Sequence, residues 1–390
     1  MTNKVSIVGS GHTKFGRLDA LTLEDLIVQA SQEAISEAGI EPAQIDAVYL
    51  GHFNSGLVSD GFASSLIHQV SPDLRFKPAT RCENACASGS AAIFSAINAI
   101  SSGEADVVLV VGAEKMTSRT TAEVTKALAG AGYQNDPNEA ALSFPQLFGL
   151  AAAQYEQRYS SPMSAMARIA SKNHSNAMLN PLAQMHREMD FEFCNTVSDK
   201  NPVIANPLRL SDCSLISDGA AAIILVNSKV AGNFKHHVSI KGRCHVSDML
   251  PMANRDFISF EGPKIAISRA MENANVSLND ISFAEVHDCF TIAELLIYEA
   301  MGLAPKGEGA RAIEDGTVTR AGSLPVNVSG GLKAKGHPVG ATGVSMHAIS
   351  YRQLTGQAGD MQLNKADYAL IFNMGGSAVA NYATVLEAGR

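Results

Sequence analysis

Apolar and polar positions alternate along the chain in two rhythms. Short, almost unbroken apolar runs, "VSIVG" (5–9), "AVYLG" (47–51) and "ADVVLVVGA" (105–113), read as buried strands. Between them the apolar positions recur at three- and four-residue spacing. Leu23, Leu26, Ile27, Ala30 and Ala34 mark one helix face, with Thr22 and Asp25 as its start signal and Gly39 placed to end it. A second helix is expected from near Cys86 to about Ser102. Strands alternating with helices predict an α/β architecture.

The whole rhythm occurs twice. "EAISEAGIEPAQIDAVYLGH" (33–52) lines up without gaps on "RAMENANVSLNDISFAEVHD" (269–288). Further on, "SGSAAIFSAINAI" followed by "ADVVLVVGA" parallels "TGVSMHAISYRQL" followed by "ADYALIFNMG" (366–375). Two matches in the same order predict a duplication, with two similar halves packed face to face. The Met-, Asn- and Gln-rich stretch 118–200 has no counterpart and reads as an insertion carrying binding loops. "DGAAAIILVN" (218–227) then returns to complete the first half. The expected boundaries are 1–117 with 201–247 for the first half, 118–200 for the insertion and 248–390 for the second half.

Composition narrows the function classes. The 390 residues are 46% hydrophobic and 17% charged, an ordinary globular balance with room for two domains. A net charge of −8 argues against a nucleic-acid or anionic-membrane surface. No run approaches the ~20 apolar residues of a membrane span. The start, "MTNKVSIVGSG", enters a strand directly, so no leader is expected, and "EAGR" is no organelle address. Six scattered cysteines fit a reducing cytoplasm and lack paired zinc spacing, so no metal is expected. "GSGHTKFG" has Gly9 and Gly11 after a strand, but Lys14 stands where a dinucleotide loop needs its third glycine.

Four segments carry candidate chemistry. In "RCENACASGSAA" (81–92), Cys86 sits where a loop enters a helix, and the positive helix end is expected to lower its pKa. Small residues after it would let a substrate approach, although a packed structural cysteine has the same position. "HDCFT" (287–291) follows the strand "FAEV", at the sheet end where ligands gather. If that segment is extended, His287 and Cys289 point to one side. "NVSGGLKAKGHPVGATG" (327–343) is glycine-rich without phosphate-loop order, and His337 suits acid–base work. The glycines of "NMGGSA" (373–378) can expose backbone N–H groups as an oxyanion hole.

These four segments, in this order, resemble the signatures of the thiolase superfamily. "GSGHTKFG", "GAEKMT" (112–117) and "DCSLISDGAAA" (212–222) are also similar to its motifs, so the resemblance spans nearly the whole chain. It is strongest to the sterol-carrier-protein and archaeal acetoacetyl-CoA branches, which share "HDCF". The resemblance implies two duplicated βαβαβαββ halves in a five-layered α/β/α/β/α core, with an inserted loop domain that helps hold coenzyme A. It implies an acyl-CoA:acetyl-CoA C-acyltransferase working by a ping-pong route through an acyl-cysteine. Coenzyme A thioesters would be the substrates, no cofactor would be needed, and the chain would form homodimers or homotetramers.

Carried over by position, Cys86 is the acylated nucleophile and His337 takes its proton. His287 serves an oxyanion hole, and Cys289 is the acid/base at the substrate α-carbon. The amides of Cys86 and Gly375 form a second oxyanion hole. One position departs from the pattern: many thiolases place their acid/base cysteine in a C-x-G unit near the C-terminus, where this chain has Asn373. The resemblance to the "HDCF" branch implies that the base has moved, so that Cys289 can substitute. Two rivals remain. A decarboxylating ketoacyl synthase shares fold and nucleophile but pairs its Cys with two histidines, or His and Asn. A scaffold or acyltransferase subunit would work with an OB-fold partner on a non-CoA acceptor.

Overall fold

Each apolar run becomes a strand, and the helical stretches pack onto the sheets those strands form. The computed structural model describes residues 5–389. Residues 1–4 and 390, part of the basis for expecting no leader and no C-terminal address, lie outside the described residues. The first half contains β1 (Val5–His12), α1 (Leu23–Ala38), β2 (Ala47–Gly51), β3 (Ala79–Cys82), α2 (Ser88–Ser102) and β4 (Val107–Glu114). The insertion follows with α3 (Thr121–Ala129), α4 (Pro137–Ala140), α5 (Phe144–Arg158), α6 (Met163–Ala177) and α7 (Phe191–Asn195). A hairpin, β5 (Val203–Ala205) and β6 (Leu208–Arg209), leads back to β7 (Gly219–Asn227). The second half is β8 (Val238–Ser247), α8 (Glu261–Ala274), β9 (Phe283–Val286), α9 (Thr291–Met301), α10 (Ala310–Glu314), α11 (Thr342–Leu354), β10 (Tyr368–Gly375) and β11 (Ala380–Ala388).

The strand order, β3-β2-β4-β7-β1-β8-β11-β10-β9, is the same pattern read from either end once Val326, bridged to Ala284 beside β9, is counted as the last strand. The halves meet where β1 touches β8, at Ser6–Ser239 and Ile7–Val238. This is the duplication seen in the sequence. One boundary needs correction. Residues 238–247, assigned above to the first half, form β8, which pairs along β11 and is the first strand of the second half. The repeat was legible only from its first helix onward, so its first strand went unassigned.

Helix α1 covers the outer face of β1 and β7, and α8 covers β8 and β11, while α2 and α11 pack together between the sheets. That gives the five layers. The stretch Ala85–Ser102 is in fact long and apolar enough by composition to cross a membrane, yet it is mostly buried and contains the core helix α2. Helix α1 has the expected ends, a Thr22–Asp25 capping box and Gly39 at φ +68°. The glycines that failed as a dinucleotide motif are there for packing. A side chain on Gly11 would lie 2.0 Å from the Ala30 carbonyl oxygen, so α1 rests directly on β1.

Candidate active site

Cys86 stands at the tip of a tight turn between β3 and α2. Ala85 takes the left-handed conformation, at φ +50°. The Ser88 hydroxyl accepts from the Asn84 amide (2.9 Å) and donates to the Ala85 carbonyl (2.6 Å), holding the turn closed. The helix starts at Ser88, two residues past the cysteine. Burial pushes the Cys86 thiol up to about 12; the Gly376 amide and its own amide favour the thiolate, but Glu114 and Glu83 oppose it. The lowered pKa expected from the helix end is therefore not the outcome, because desolvation outweighs the two amide hydrogen bonds that favour the thiolate. At rest Cys86 is a thiol and needs a base.

Two histidines supply polar atoms at the right distance. Cys86 Sγ and one ring nitrogen each of His287 and His337 lie within 4.8 Å of one another. The two rings meet edge-on, with centroids 5.2 Å apart. His337 is fixed by the loop it ends: its amide donates to Ser217 Oγ (2.9 Å), and Nδ1 lies 2.7 Å from Thr342 Oγ1. Burial, with Lys335 nearby, pushes its pKa down to about 3. His287, at the end of β9, has Nδ1 at 2.9 Å from Asn373 Nδ2. Burial and then His337 hold its pKa well below the ordinary 6.5. Both rings are neutral at pH 7.

Cys289 reaches the site by a bend. The Asp288 amide bonds back to the Val286 carbonyl (3.1 Å), so the chain turns at His287 instead of continuing extended. The Cys289 thiol is buried, and burial, with Cys86 and Asp288 as neighbours, pushes its pKa well above the ordinary thiol value. Gly375 ends β10 and lines a cleft of about 440 Å³ with Gly376, Asn84 and Arg81, and the neighbouring Gly376 amide favours the Cys86 thiolate.

Two carboxylates that the sequence reading missed hold the loops in place. Glu114 accepts from the amides of Phe53 (2.9 Å), Asn54 (3.0 Å) and Gly340 (3.0 Å), tying "GHPVG" to β4. Burial opposes a charge on its partner His52, but the Glu114 carboxylate 3.1 Å away holds the imidazole pKa above its ordinary value. Asp288 accepts from the amides of Leu332 (2.6 Å) and Lys333 (3.1 Å) and from Asn173 Nδ2 (2.8 Å). It thereby joins the segment of His287 and Cys289 to the one leading to His337. Gly331, at φ +59°, is needed here, since a side chain would strike the Asp288 carboxylate. Both acids stand inside quoted motifs, which was the available signal.

A thiol, a neutral imidazole beside it, a second imidazole and a second thiol form a set suited to acyl transfer. The family model described as "Thiolase, N-terminal domain" matches residues 5–229, and "Thiolase C-terminal domain-like" matches 245–388. An acetyl-CoA acetyltransferase of Methanothermobacter thermautotrophicus is 38% identical, over 96% of this chain and 96% of its own. Sterol carrier protein 2 of Bos taurus is 32% identical, over 97% of this chain and 71% of its own. Among solved structures, "Ltp2-ChsH2(DUF35) aldolase" superposes with a TM-score of 0.83 at 22% identity, covering 100% of this chain and 98% of that one. Matched along both halves, with the duplicated layers and the Cys–His–His cluster in place, this chain belongs to the thiolase family.

Proposed function

We propose that this chain, an acyltransferase of the thiolase type, moves acetyl groups between coenzyme A thioesters through an acyl-Cys86 intermediate. The observation that carries the reading is the convergence of Cys86 Sγ with His287 and His337 within 4.8 Å. The acetyl-CoA acetyltransferase relative supports the substrate class. His337 takes the Cys86 proton as sulfur attacks the thioester carbonyl, and backbone amides beside Cys86 hold the oxyanion. The leaving coenzyme A thiolate takes the Cys289 proton. The resulting Cys289 thiolate removes an α-proton from a second acetyl-CoA, with His287 donating to the enolate oxygen. The carbanion attacks acyl-Cys86, and the released Cys86 thiolate recovers its proton from His337. Protons balance, and the sequence calls for no metal or redox group.

Several finer readings belong to the same proposal. Residues 118–200 help hold coenzyme A. The chain assembles as a homodimer or homotetramer and works in acyl-CoA metabolism in the cytoplasm, where a nucleophile that must stay a free thiol is protected. A second reading, an acyltransferase subunit with a partner protein, draws support from the fold neighbour named as a complex with DUF35.

Acetyl-CoA alone should acetylate Cys86, as read by peptide mass spectrometry, and the purified chain should thiolyse acetoacetyl-CoA with free coenzyme A. His337→Ala should slow acetylation by ~10²–10³-fold. Acetylation at another residue, or none without an added partner, would remove the self-sufficient enzyme from consideration.

A further inference from the structure

Asn373 occupies the place of the displaced acid/base cysteine, and its amide is engaged at both ends. Nδ2 lies 3.3 Å from the Cys86 carbonyl oxygen and 2.9 Å from His287 Nδ1, while Oδ1 accepts from Ser90 Oγ at 2.8 Å. A backbone carbonyl can only accept, so Cys86 fixes which end of the amide is nitrogen. That nitrogen also donates to His287 Nδ1, which must then carry a lone pair. In a neutral ring the single proton is consequently on Nε2. His337 is held the other way. The Thr342 hydroxyl donates its one proton to the Pro338 carbonyl at 3.1 Å, so it accepts from His337 Nδ1–H and leaves a lone pair on Nε2.

We infer that Asn373 is a positioning residue that locks His287 as a hydrogen-bond donor, opposite in tautomer to His337, and thereby keeps the Cys86–His287–His337 cluster from binding zinc. One thiolate and two imidazoles this close together are a donor set that zinc takes. A metal-bound imidazole, however, needs its lone pair toward the metal and its N–H toward a carboxylate or carbonyl behind it. Asn373 imposes the reverse. By holding His287 in this tautomer, Asn373 therefore supplies a fixed donor for a developing enolate. The catalytic half of this inference rests on the acyl-transfer reading above; the metal half does not.

Asn373→Asp is the test, because a carboxylate accepts where the amide donated and turns His287 to the Nδ1–H form. Equilibrium dialysis against zinc chloride should show affinity raised about 10–100-fold over the unmodified chain. Cobalt(II) in place of zinc should show sulfur-to-metal absorption that Cys86→Ala abolishes. In chelator-treated protein, α-hydrogen exchange of acetyl-CoA into deuterated water should fall by ~10²–10³-fold, and more than acetylation of Cys86 does. Asn373→Ala leaves the tautomer free and should be intermediate in both readouts, which keeps the test open if the aspartate variant does not fold. Equal zinc affinity in all three proteins, or zinc affinity that falls with stability, overturns the metal half. Undiminished exchange in Asn373→Asp overturns the catalytic half. If the unmodified chain neither exchanges nor acetylates, the acyl-transfer reading has failed, and the zinc comparison still decides this inference.

Discussion

A half-buried thiol and a buried one share one site, and each resists ionisation, Cys86 mainly by desolvation and Cys289 by desolvation with Cys86 and Asp288 beside it. If their tasks differ as proposed, the half-reactions separate in a Cys289→Ala variant. Acetyl transfer to Cys86 needs the nucleophile, His337 and an oxyanion hole, so it should persist within about tenfold. Exchange of α-hydrogen needs a base, and Asn373 cannot be one because an amide has no basic lone pair near neutrality; exchange should fall by ~10²–10⁴-fold. Mass spectrometry of acetyl-Cys86, beside deuterium uptake on the same samples, reads both, and normal exchange in Cys289→Ala would put the base elsewhere. The side chains that converge on the site were legible because each sits in a short segment whose glycines and strand end are themselves visible in sequence. The task of Asn373 was not, since its partners Cys86 and His287 lie 287 and 86 residues away. The ionisation of Cys86 was misread for a similar reason: proximity to a helix is local, whereas desolvation comes from the whole surrounding fold.

At the scale of elements, the site depends on how closely the starts of α2 and α11 cross. A side chain on Gly89 would lie 2.9 Å from the Gly340 carbonyl oxygen. One on Gly343 would lie 2.4 Å from the Ser90 amide nitrogen and 2.7 Å from Asn373 Oδ1. Neither glycine has a left-handed backbone, so the constraint is space alone. Gly343→Ala must push the helices apart, which costs on the order of 1–3 kcal/mol, and it presses on the Ser90–Asn373 hydrogen bond. Thermal unfolding should move down, and α-hydrogen exchange should drop well beyond the change in stability. Gly232→Ala, where nothing lies within 4 Å, is the control and should change neither. A Gly343→Ala protein that melts and exchanges like the parent would show that the crossing has slack. Helix caps and most strands were readable from local chemistry, but the mirrored strand order and the seam at β8 follow from pairings between distant segments, which no local pattern encodes.

At the scale of the molecule, the insertion 118–200 is tied into the second half by buried charge. Helix α6 sends Lys172 to Glu294 on α9 at 2.7 Å and to the Val326 carbonyl at 2.7 Å. Asn173 bridges Glu294 (2.7 Å) and Asp288 (2.8 Å), so the same acid that joins the segments of His287 and His337 also rests on the insertion. Tyr298 and Asn327 donate the remaining hydrogen bonds to Glu294. Removing the ammonium alone strands a carboxylate away from water. Lys172→Met should therefore destabilise the protein by about 3–5 kcal/mol, as breaking one side of a buried pair does. Glu294→Gln removes the charge while keeping an oxygen for its donors, so the double variant should recover a large part of the Lys172→Met loss. Urea unfolding of the parent, both single variants and the double variant gives the coupling directly. A double variant no more stable than Lys172→Met would mean that packing of the lysine stem, and not the isolated carboxylate, accounts for the loss. The insertion would then rest on packing and on the hydrogen bonds of Asn173 to Asp288 and Asn176 to the Asn327 carbonyl, not on buried charge, and α-hydrogen exchange would be unchanged in Lys172→Met.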